Sequence, residues 1–446
     1  MGESSDIAAG RLSSDALAAN FADAHPSLSD DAALVEADRC YFCHDAPCIE
    51  ACPAGIDVPG FIRAIATGNI RGAAQTILQQ NILGGTCARV CPTEVLCEQA
   101  CVRTAQEQRP INIGALQRHA TDWQMQQSTH PFSRAQPTGR QIAVVGAGPA
   151  GLACAHALAR AGHDVVIFEA KPNPGGLNEY GIAAYKMADD FAYREVGFIL
   201  GIGGIRIEHG KALGRDITLA TLRHSFDAIF LAIGQAGVNA LGLPREDLVG
   251  VRDAVDFIAD LRQSADKSTL PIGRRVVVIG GGNTAIDAAT QARRLGAEEV
   301  AIVYRRGPAQ MSATSAEQDW AQTNGVTIRH WAAPVALEGS GGQLGSVLFA
   351  RTRLAADGRL VIGEERFAIP TDMLLKAVGQ HLLWPEEGAE QPAIENGRIT
   401  VDPHTGQTSI PRVFAGGDCV AGPDLTVHAV QDGKRAAAAI DHLLAA

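Results

Sequence analysis

Residues 141–151 have the sequence QIAVVGAGPAG, and residues 275–285 repeat its pattern as RVVVIGGGNTA. Each stretch is a short apolar run followed by closely spaced glycines, which predicts a buried strand, a tight turn and the start of a helix. Glycines in that position permit the turn, the approach of backbone N–H groups to a pyrophosphate, and close packing of helix on strand. The two stretches therefore predict two Rossmann-like dinucleotide-binding domains in an α/β protein.

The end of the second strand in each unit indicates which dinucleotide it binds. In the first unit Glu169 lies there, and its carboxylate can accept hydrogen bonds from both ribose hydroxyls of FAD or NAD. In the second unit Tyr304 takes that place and is followed by Arg305 and Arg306. Two guanidiniums without an acid suit a 2′-phosphate, so NADPH is slightly favoured over NADH. The alternative is that both arginines are merely solvated.

Upstream of both turns, eight of the ten cysteines lie in two groups, CYFCHDAPCIEACP at 40–53 and CARVCPTEVLCEQAC at 87–101. Thiolates at such short spacings can hold iron–sulfur clusters, about four for each [4Fe–4S] core. The count alone predicts two clusters with eight cysteine ligands, Cys87 included. Zinc knuckles would satisfy the same count, but zinc would leave the electrons of a flavin without a route. The remaining Cys154 and Cys419 are expected to be core residues.

The rest of the chain predicts how these parts are ordered. Residues 31–127 show short helices broken by Pro and Gly, without a strand. Residues 413–418, VFAGGD, predict a strand ending at Asp418, which can hold the ribityl chain of a flavin, and the next helix can stabilise negative charge on the reduced ring. Residues 231–234 and 377–379 are predicted crossovers, so the second nucleotide domain is inserted into the first.

The expected division has five parts. They are a flexible arm at 1–30, an all-α domain with two [4Fe–4S] clusters at 31–127, a linker at 128–139, an FAD-binding domain at 140–243 and 372–446, and an NAD(P)-binding domain at 244–371.

Composition narrows the class of protein. A formal net charge of −11 argues against a nucleic-acid partner, because a basic face is the usual footprint of such binding. No run of about 18 apolar residues predicts a membrane span, and residues 1–24 lack the pattern of a secretory signal. We therefore expect a cytoplasmic protein, in which clustered cysteines are metal ligands and not disulfides.

These motifs together resemble the flavin/iron–sulfur family that includes glutamate synthase small subunits and the N-terminal half of dihydropyrimidine dehydrogenase. CYFCHDAPC at 40–48, VCPT at 90–93, PINIGALQ at 110–117 and FAGGD at 414–418 bring the chain nearest to the pyrimidine enzyme. It is most similar to the flavin/iron–sulfur (PreT-type) subunit of the bacterial NAD(P)-dependent, two-subunit form.

The resemblance implies an electron-input subunit that oxidises NAD(P)H with FAD and passes electrons through two clusters. The acceptor would be an FMN- and iron–sulfur-containing partner that reduces uracil or thymine to 5,6-dihydropyrimidines, in a hetero-oligomer. It also implies an interleaved ligand set, with Cys40, Cys43, Cys48 and Cys101 on one cluster and Cys52, Cys91, Cys97 and Gln117 on the other. Cys87 would then be a spare thiol. The count of cysteines favours a different ligand set, in which Cys87 is a ligand and Gln117 lies on a helix surface.

The residues predicted to bind cofactors come from the glycine turns, the strand ends and the crossovers. They are Gly146, Gly148, Pro149, Ala150, Gly151, Glu169, Gly176, Leu177, Lys186, Leu213, Gly280, Gly282, Asn283, Thr284, Ala285, Arg305, Arg306, Ala377, Val378, Gly379, Gly417, Asp418 and Thr426. Lys186 and Leu213 are included because the resemblance implies that they lie near the flavin. Ser312 stands where the animal enzyme has a phosphate-binding arginine, which weakens the preference for NADPH. Hydride transfer is chemistry of the cofactors, so no catalytic side chain is predicted.

Three rival functions remain at this point. The first two are a glutamate synthase small subunit and a ferredoxin-linked NADPH oxidoreductase. The third, of another class, is a non-catalytic redox-sensing scaffold, but a scaffold does not need Glu169, Asp418 and two complete glycine turns. The chain has no pyrimidine-reducing barrel, so the predicted reaction needs the partner.

Overall fold

The computed structural model describes residues 6–384 and 390–445, which form two compact units. The cysteine-bearing unit consists of His25–Glu179, Asp189–Gly237 and residues 381–384 and 390–445. The inserted unit consists of residues 6–24, Tyr180–Ala188 and Val238–Gln380. Parts of the predicted arm (1–5) and of the predicted FAD domain (385–389 and 446) lie outside the described residues.

Short helices fill the chain before residue 130, and strands and helices alternate after it. The helices are α1 (Ser14–Asn20), α2 (Asp30–Ala37), α3 (Pro47–Glu50), α4 (Val58–Ala66), α5 (Ile70–Gln80), α6 (Gly84–Val90), α7 (Val102–Glu107), α8 (Ile113–Met125), α9 (Pro149–Arg160), α10 (Leu177–Tyr180), α11 (Phe191–Leu200), α12 (Leu219–Ser225), α13 (Ala254–Gln263), α14 (Asn283–Arg294), α15 (Ser315–Thr323) and α16 (Thr426–Ala445). None of these described helices is long and apolar enough to cross a membrane.

The strands are short except in the segment from residue 332 to residue 370. They are β1 (Gln141–Val145), β2 (Asp164–Glu169), β3 (Ile205–His209), β4 (Ala228–Leu231), β5 (Gly237–Val238), β6 (Val251–Asp253), β7 (Arg275–Ile279), β8 (Glu299–Tyr304), β9 (Thr327–His330), β10 (Ala332–Ser340), β11 (Gln343–Leu354), β12 (Leu360–Pro370), β13 (Met373–Lys376), β14 (Gln380–His381), β15 (Ile394–Glu395), β16 (Arg398–Ile399) and β17 (Val413–Ala415).

Each unit is built on a parallel five-stranded sheet. In the cysteine-bearing unit the order is β17-β4-β1-β2-β3, with Val145 of β1 opposite both Phe168 and Leu231. In the inserted unit the order is β6-β13-β7-β8-β9, and an antiparallel sheet, β10-β11-β12, belongs to the same unit. In both parallel sheets the first strand of the glycine motif is central, so the strand order reverses beside it. Ligands of such sheets bind outside the carboxyl ends of the strands at that reversal.

The two glycine turns meet the same steric constraint. Gly146 has a φ of +103°, and a Cβ there would lie 2.3 Å from the carbonyl oxygen of Ala232, just after β4. Gly280 has a φ of +154°, and a Cβ there would lie 2.3 Å from the carbonyl oxygen of Ala377, just after β13. Both positions therefore require glycine. The predicted fold class, a helical segment followed by two Rossmann-like folds with one inserted, is confirmed.

Two details of the predicted division are wrong. The sequence assigns residues from 372 onward to the FAD domain, but β13 pairs with β6 and β7 in the sheet of the inserted unit. A four-residue apolar strand carries no information about which sheet it joins. The predicted arm is also not loose where it is described, because α1 buries Leu17 in the core of the inserted unit, capped by Ser13. One buried apolar residue in so short a helix gives too weak a periodic pattern for the helix to be predicted from the sequence.

The N-terminal helices and the first parallel sheet share one hydrophobic core. Leu78, Ile82 and Leu83, from the end of α5 and the following turn, cluster with Val144 of β1 and Ala150 of α9. The cysteine-rich helices predicted as a separate domain are therefore part of the same compact unit as the first dinucleotide fold.

Helix α16 packs closely on α9, the helix that follows the first glycine turn. A Cβ on Gly433 would lie 2.3 Å from the carbonyl oxygen of Ala150. The missing side chain therefore sets how near the two helix axes approach.

Gly433→Ala should accordingly lower the free energy of unfolding by about 1–3 kcal/mol, the usual cost of overpacking. The matched control is Gly197→Ala in α11, where no atom lies within 4 Å of the added Cβ. That control should raise the stability by roughly 0.8–1 kcal/mol, the helix propensity difference. Urea unfolding measures both, and equal effects would contradict the close contact.

Candidate functional site

The first glycine turn presents an open helix N-terminus. Helix α9 begins after Gly148 without a side-chain cap, with Pro149 in its first turn. Unpaired N–H groups and the helix dipole together make such an end a site for a diphosphate. Gly176, with a φ of +56°, folds back so that a Cβ there would lie 2.7 Å from the Cα of Gly148. A side chain at Gly176 would push the backbone of this turn aside. The bare backbone is therefore open to the close approach of a diphosphate.

Glu169 lies where the sequence predicts, at the end of β2. Its side chain is buried, and its carboxylate accepts hydrogen bonds from the N–H groups of Ala147 (2.7 Å) and Lys171 (2.8 Å). The carboxylate is therefore held directly beside the glycine turn, in an orientation that the backbone fixes.

The C-terminal turn carries a second acid. Gly417, with a φ of +75°, donates its N–H to the carboxylate of Asp432 at 2.9 Å. Asp418 is partly buried, and this burial, together with the neighbouring charge of Asp424, raises its pKa to about 6 against the opposing effect of Arg398. Arg398 donates to the backbone oxygen of Asp418 and to both carboxylate oxygens of Asp424.

An unpaired amide lies beside the start of α16. The Thr426 hydroxyl donates to Oδ1 of Asn178 at 2.9 Å, while Nδ2 of this buried asparagine has no hydrogen-bond partner among the described residues. A buried donor without a partner costs free energy. Its presence at this helix start, near the predicted flavin residues, fits a bound polar group.

The structure brings together the four thiols that the resemblance assigns to one cluster. Side chains of Cys40, Cys43, Cys48 and Cys101 line a common cavity whose other walls include Val58, Ile62, Ile111 and Ile113. Burial, reinforced by Cys101 and Cys40, raises the pKa of Cys48 to about 12. We call these four residues the first thiol group.

A second thiol group consists of Cys52, Cys87, Cys91 and Cys97. A hydrogen bond to Cys87, and then burial, raises the pKa of Cys91, which also interacts with Cys97 and Cys52. Burial likewise raises the pKa values of Cys52 and Cys97. Cys87 therefore lies against Cys91 in this group, and its role as a ligand stays a prediction.

Gln117, the other candidate ligand, is buried in the middle of α8, so its alternative placement on a helix surface is wrong. Its Nε2 donates to the carbonyl oxygen of Gly84 at 2.8 Å, at the start of the helix that carries Cys87. The Oε1 atom accepts no hydrogen bond from the described residues and so keeps its lone pairs for another partner.

Over residues 6–384 and 390–445, no three cysteine, histidine or acidic side chains form a site for a single metal ion.

The second glycine turn also leads into an uncapped helix. Helix α14 begins after Gly282 without a side-chain cap, and Oδ1 of Asn283 in its first turn is buried without a hydrogen-bond partner in the described chain. The ring of Tyr304 lies against Gly281, where a Cβ would approach it to 2.5 Å. Ser312 Oγ would lie 3.0 Å from a Cβ on Gly282.

The two arginines after Tyr304 carry uncompensated charge. Arg305 is exposed and Arg306 is half-buried, and neither guanidinium pairs with an acid in the part of the chain that the structure describes. Both backbone carbonyls are engaged, by Thr352 and Trp331, so the strand end is fixed while the side chains remain available.

The remaining predicted cofactor-binding positions are Lys186, Leu213 and residues 377–379. The ammonium of Lys186 lies 2.8 Å from Asp287 and 2.6 Å from Glu317, which raise its pKa although burial opposes this. All three residues belong to the inserted unit, so the role of Lys186 near the flavin stays a prediction. Leu213 is buried in the core below the first sheet. Residues 377–379 follow β13, where Ala377 faces the second glycine turn.

Sequence reasoning missed two ionisable side chains, the half-buried Lys434 and the buried Glu195, that join the first dinucleotide fold to the cysteine-bearing helices. Lys434 of α16 donates to Gln80 and Ala54, and Glu195 of α11 accepts from the N–H and hydroxyl of Thr86. Burial raises the pKa of Glu195 to about 7. The available signal is periodicity for Glu195, which occupies a core position of the amphipathic α11, where an acid needs a partner.

The chain matches two known family models and is similar in sequence to known flavin/iron–sulfur proteins. A family model described as dihydropyrimidine dehydrogenase domain II, 4Fe-4S cluster, matches residues 17–129, and a pyridine nucleotide-disulphide oxidoreductase model matches residues 140–433. The chain is 37% identical over 419 residues to the NAD-dependent dihydropyrimidine dehydrogenase subunit PreT of Salmonella typhimurium, covering 94% of this chain and 96% of that protein. It is 34% identical over 440 residues to the glutamate synthase [NADPH] small chain of Escherichia coli, covering 94% and 92%.

Among solved structures, Mycobacterium tuberculosis FprA in complex with NADPH matches with a TM-score of 0.55 and 21% identity, over 70% of this chain and 84% of that one. At this identity the match shows a shared fold. The predicted iron–sulfur segment and the predicted pyridine nucleotide oxidoreductase fold are confirmed by the two family models.

Proposed function

This chain belongs to the flavin/iron–sulfur oxidoreductase family of dihydropyrimidine dehydrogenase PreT subunits and glutamate synthase small chains, and we propose that it is the electron-input subunit of a dihydropyrimidine dehydrogenase. It oxidises NAD(P)H with FAD and passes electrons through two [4Fe–4S] clusters to a partner subunit. The partner contains FMN and iron–sulfur clusters and reduces uracil or thymine to 5,6-dihydropyrimidines. One observation carries the proposal: both thiol groups and the first glycine turn lie in a single compact unit.

The residues of the cysteine-bearing unit suit FAD. Backbone N–H groups of Gly148, Ala150 and Gly151 bind the diphosphate, Glu169 accepts from the ribose, and Asp418 holds the ribityl chain. The N-terminus of α16 and the unpaired Nδ2 of Asn178 would bind a polar edge of the ring system. When bound, the flavin accepts a hydride and returns its electrons singly. Because this chemistry is the cofactor's, the side chains bind and orient.

The residues of the inserted unit suit the nicotinamide dinucleotide. Gly280, Gly282 and the N-terminus of α14, with Asn283, Thr284 and Ala285, bind its diphosphate. Arg305 and Arg306 bind the 2′-phosphate of NADPH. The absence of an acid at Tyr304 supports this preference, whereas Ser312 in place of an arginine reduces it.

Each cluster takes its ligands from both cysteine runs. Cys40, Cys43, Cys48 and Cys101 would hold the first, and Cys52, Cys91 and Cys97 would hold the second. Gln117 completes it through Oε1, the amide atom that its hydrogen bond to Gly84 leaves open. The FAD domain then comprises the residues up to about 237 and from about 381, and the NAD(P) domain comprises the sequence inserted between these two segments, Val238–Gln380.

A glutamate synthase small subunit is the second candidate, because the identity to that chain is 34% over a similar share of the sequence. The partner distinguishes the two functions. An FMN protein that reduces pyrimidines supports the first, and a glutamine-hydrolysing chain supports the second.

Cys97→Ala tests the electron route. The variant should lose the second cluster and keep FAD, so NAD(P)H should still bleach the flavin while uracil reduction with the FMN partner disappears. The control is Cys154→Ala, which removes a buried thiol of α9 outside both thiol groups and should leave the route intact. Because cluster binding and folding are coupled, flavin content is measured first. Full uracil reduction by a flavin-loaded Cys97→Ala protein would show that electrons bypass the second cluster.

The fourth ligand of the second cluster is tested by a pair of variants. Cys87→Ala should retain about eight irons per chain, the content of two four-iron clusters, since Cys87 is a spare thiol. Gln117→Ala should lower that content and alter the electron paramagnetic resonance of one cluster, because an oxygen ligand is lost. Iron loss by Cys87→Ala alone would assign the ligand to Cys87 instead, and zinc without iron in the unmutated protein would refute both.

Arg305→Ala with Arg306→Ala tests cofactor choice. The double variant should bind NADPH about tenfold more weakly relative to NADH, a difference of about 1.4 kcal/mol in binding free energy. A larger effect is not expected, because Arg305 is exposed and water screens its charge. Steady-state flavin reduction with both nucleotides measures the ratio. An equal loss for both, or a preference of the unmutated protein for NADH, would show that these arginines do not select the nucleotide.

A further inference from the structure

Three consecutive residues of α16 contact three different parts of the cysteine-bearing unit. Asp432 accepts the N–H of Gly417, in the turn that precedes Asp418. Gly433 lies against Ala150 at the start of α9. Lys434 reaches the cysteine-rich helices. One turn of helix therefore joins the proposed flavin turn, the diphosphate helix and the region of the second thiol group.

The contacts of Lys434 are those of a charged ammonium. Its Nζ donates to the carbonyl oxygen of Gln80 (2.6 Å), to Oε1 of the same residue (3.0 Å) and to the carbonyl oxygen of Ala54 (3.1 Å). Three acceptors match the three donors of an ammonium group. All three are neutral, and no carboxylate pairs with Lys434 among the described residues. The positive charge is therefore partly buried without an acid to balance it.

The charge of Lys434 lies beside the loop that carries Cys52, because its hydrogen bond to Ala54 is made within that loop. Lys434 binds the carbonyl of Ala54, which follows Cys52 by two residues. The next residue, Gly55, closes a turn by donating its N–H to the carbonyl oxygen of Cys52. The loop that carries Cys52 is thus held from one side by a cation of the last helix.

We propose that Lys434 is a positioning residue for electron transfer, which holds the Cys52 loop on α16 and raises the reduction potential of the second cluster. The inference rests on the proposed function, since it requires that Cys52 ligates a cluster. Reduction adds one negative charge to the cluster, and an unbalanced cation in a poorly solvated site stabilises that added charge. The potential of the first cluster should not depend on Lys434, because none of the three hydrogen bonds of its ammonium is made to the segments that carry Cys40, Cys43, Cys48 or Cys101.

A purely structural role is the competing explanation. Gln80 is the last residue of α5, and a lysine on the final carbonyls of a helix stabilises it through the helix dipole. Such a role predicts a lower unfolding temperature for a variant but no selective change in potential. The two explanations therefore differ in the quantity that changes.

The test is a redox titration of anaerobic holoprotein, with each cluster followed by its electron paramagnetic resonance. Lys434→Met should lower the midpoint of the second cluster so that the reduced-to-oxidised ratio at a fixed potential falls at least tenfold, or 59 mV for one electron. The first cluster should not shift. Lys434→Arg, which keeps the charge, should retain the native midpoint. The control is Lys211→Met, which removes an equal charge at an exposed position of the same unit.

An unchanged second midpoint in a Lys434→Met protein that keeps its iron and flavin would overturn the proposal, as would an equal fall in Lys434→Arg. If Lys434→Met does not retain the second cluster, Lys434→Gln is titrated in its place, since it keeps a donor without the charge. Loss of the cluster in all three variants would also overturn the electrostatic role. Absence of iron from the unmutated protein is a different outcome, because it refutes the proposed function itself.

Discussion

The close packing of α16 on α9 is the constraint on which the rest of the cysteine-bearing unit depends. Because Gly433 has no side chain, the helix that begins beside Asn178 lies directly on the helix that begins at the first glycine turn. The two helix starts that would hold the diphosphate and the ring system of a flavin dinucleotide are thereby fixed relative to each other. The neighbouring Asp432 and Lys434 extend the same support to the Gly417 turn and to the cysteine-rich helices.

The two nucleotide folds share the backbone conformation of the glycine turn but differ in the side chains beside it. Gly146 and Gly280 meet the same obstacle, a carbonyl oxygen of the neighbouring strand end, and leave the same opening at the following helix. The difference lies at the end of the next strand. A carboxylate fixed by backbone N–H groups occupies one site, and an aromatic ring with two arginines occupies the other. Turn geometry is thus common to both folds, and the difference between them lies in the side chains at the end of the next strand.

Local signals predicted most of the fold, because strands, glycine turns and cysteine runs are all encoded within a few residues. The boundary at 372 failed because β13 is too short to show its sheet, and the arm failed because α1 buries little. At the site, the glycine turns, Glu169 and Asp418 followed from spacing. Asn178, Glu195 and Lys434 did not, since their partners are 248, 109 and 354–380 residues away in the sequence. A charge on a buried helix face indicates that such a partner exists but not where it lies.

The hydrogen bond from Lys434 to Ala54 spans 380 residues of sequence, and this separation has a consequence for biosynthesis. All the cysteines of both thiol groups leave the ribosome long before α16 is made, so the nascent helices present their thiols while one wall of the unit is still missing. Loop closure over such a length is slow and comes late. Cluster assembly on the growing chain would therefore meet an open, solvent-facing Cys52 loop, and synthesis of the last helix would close it.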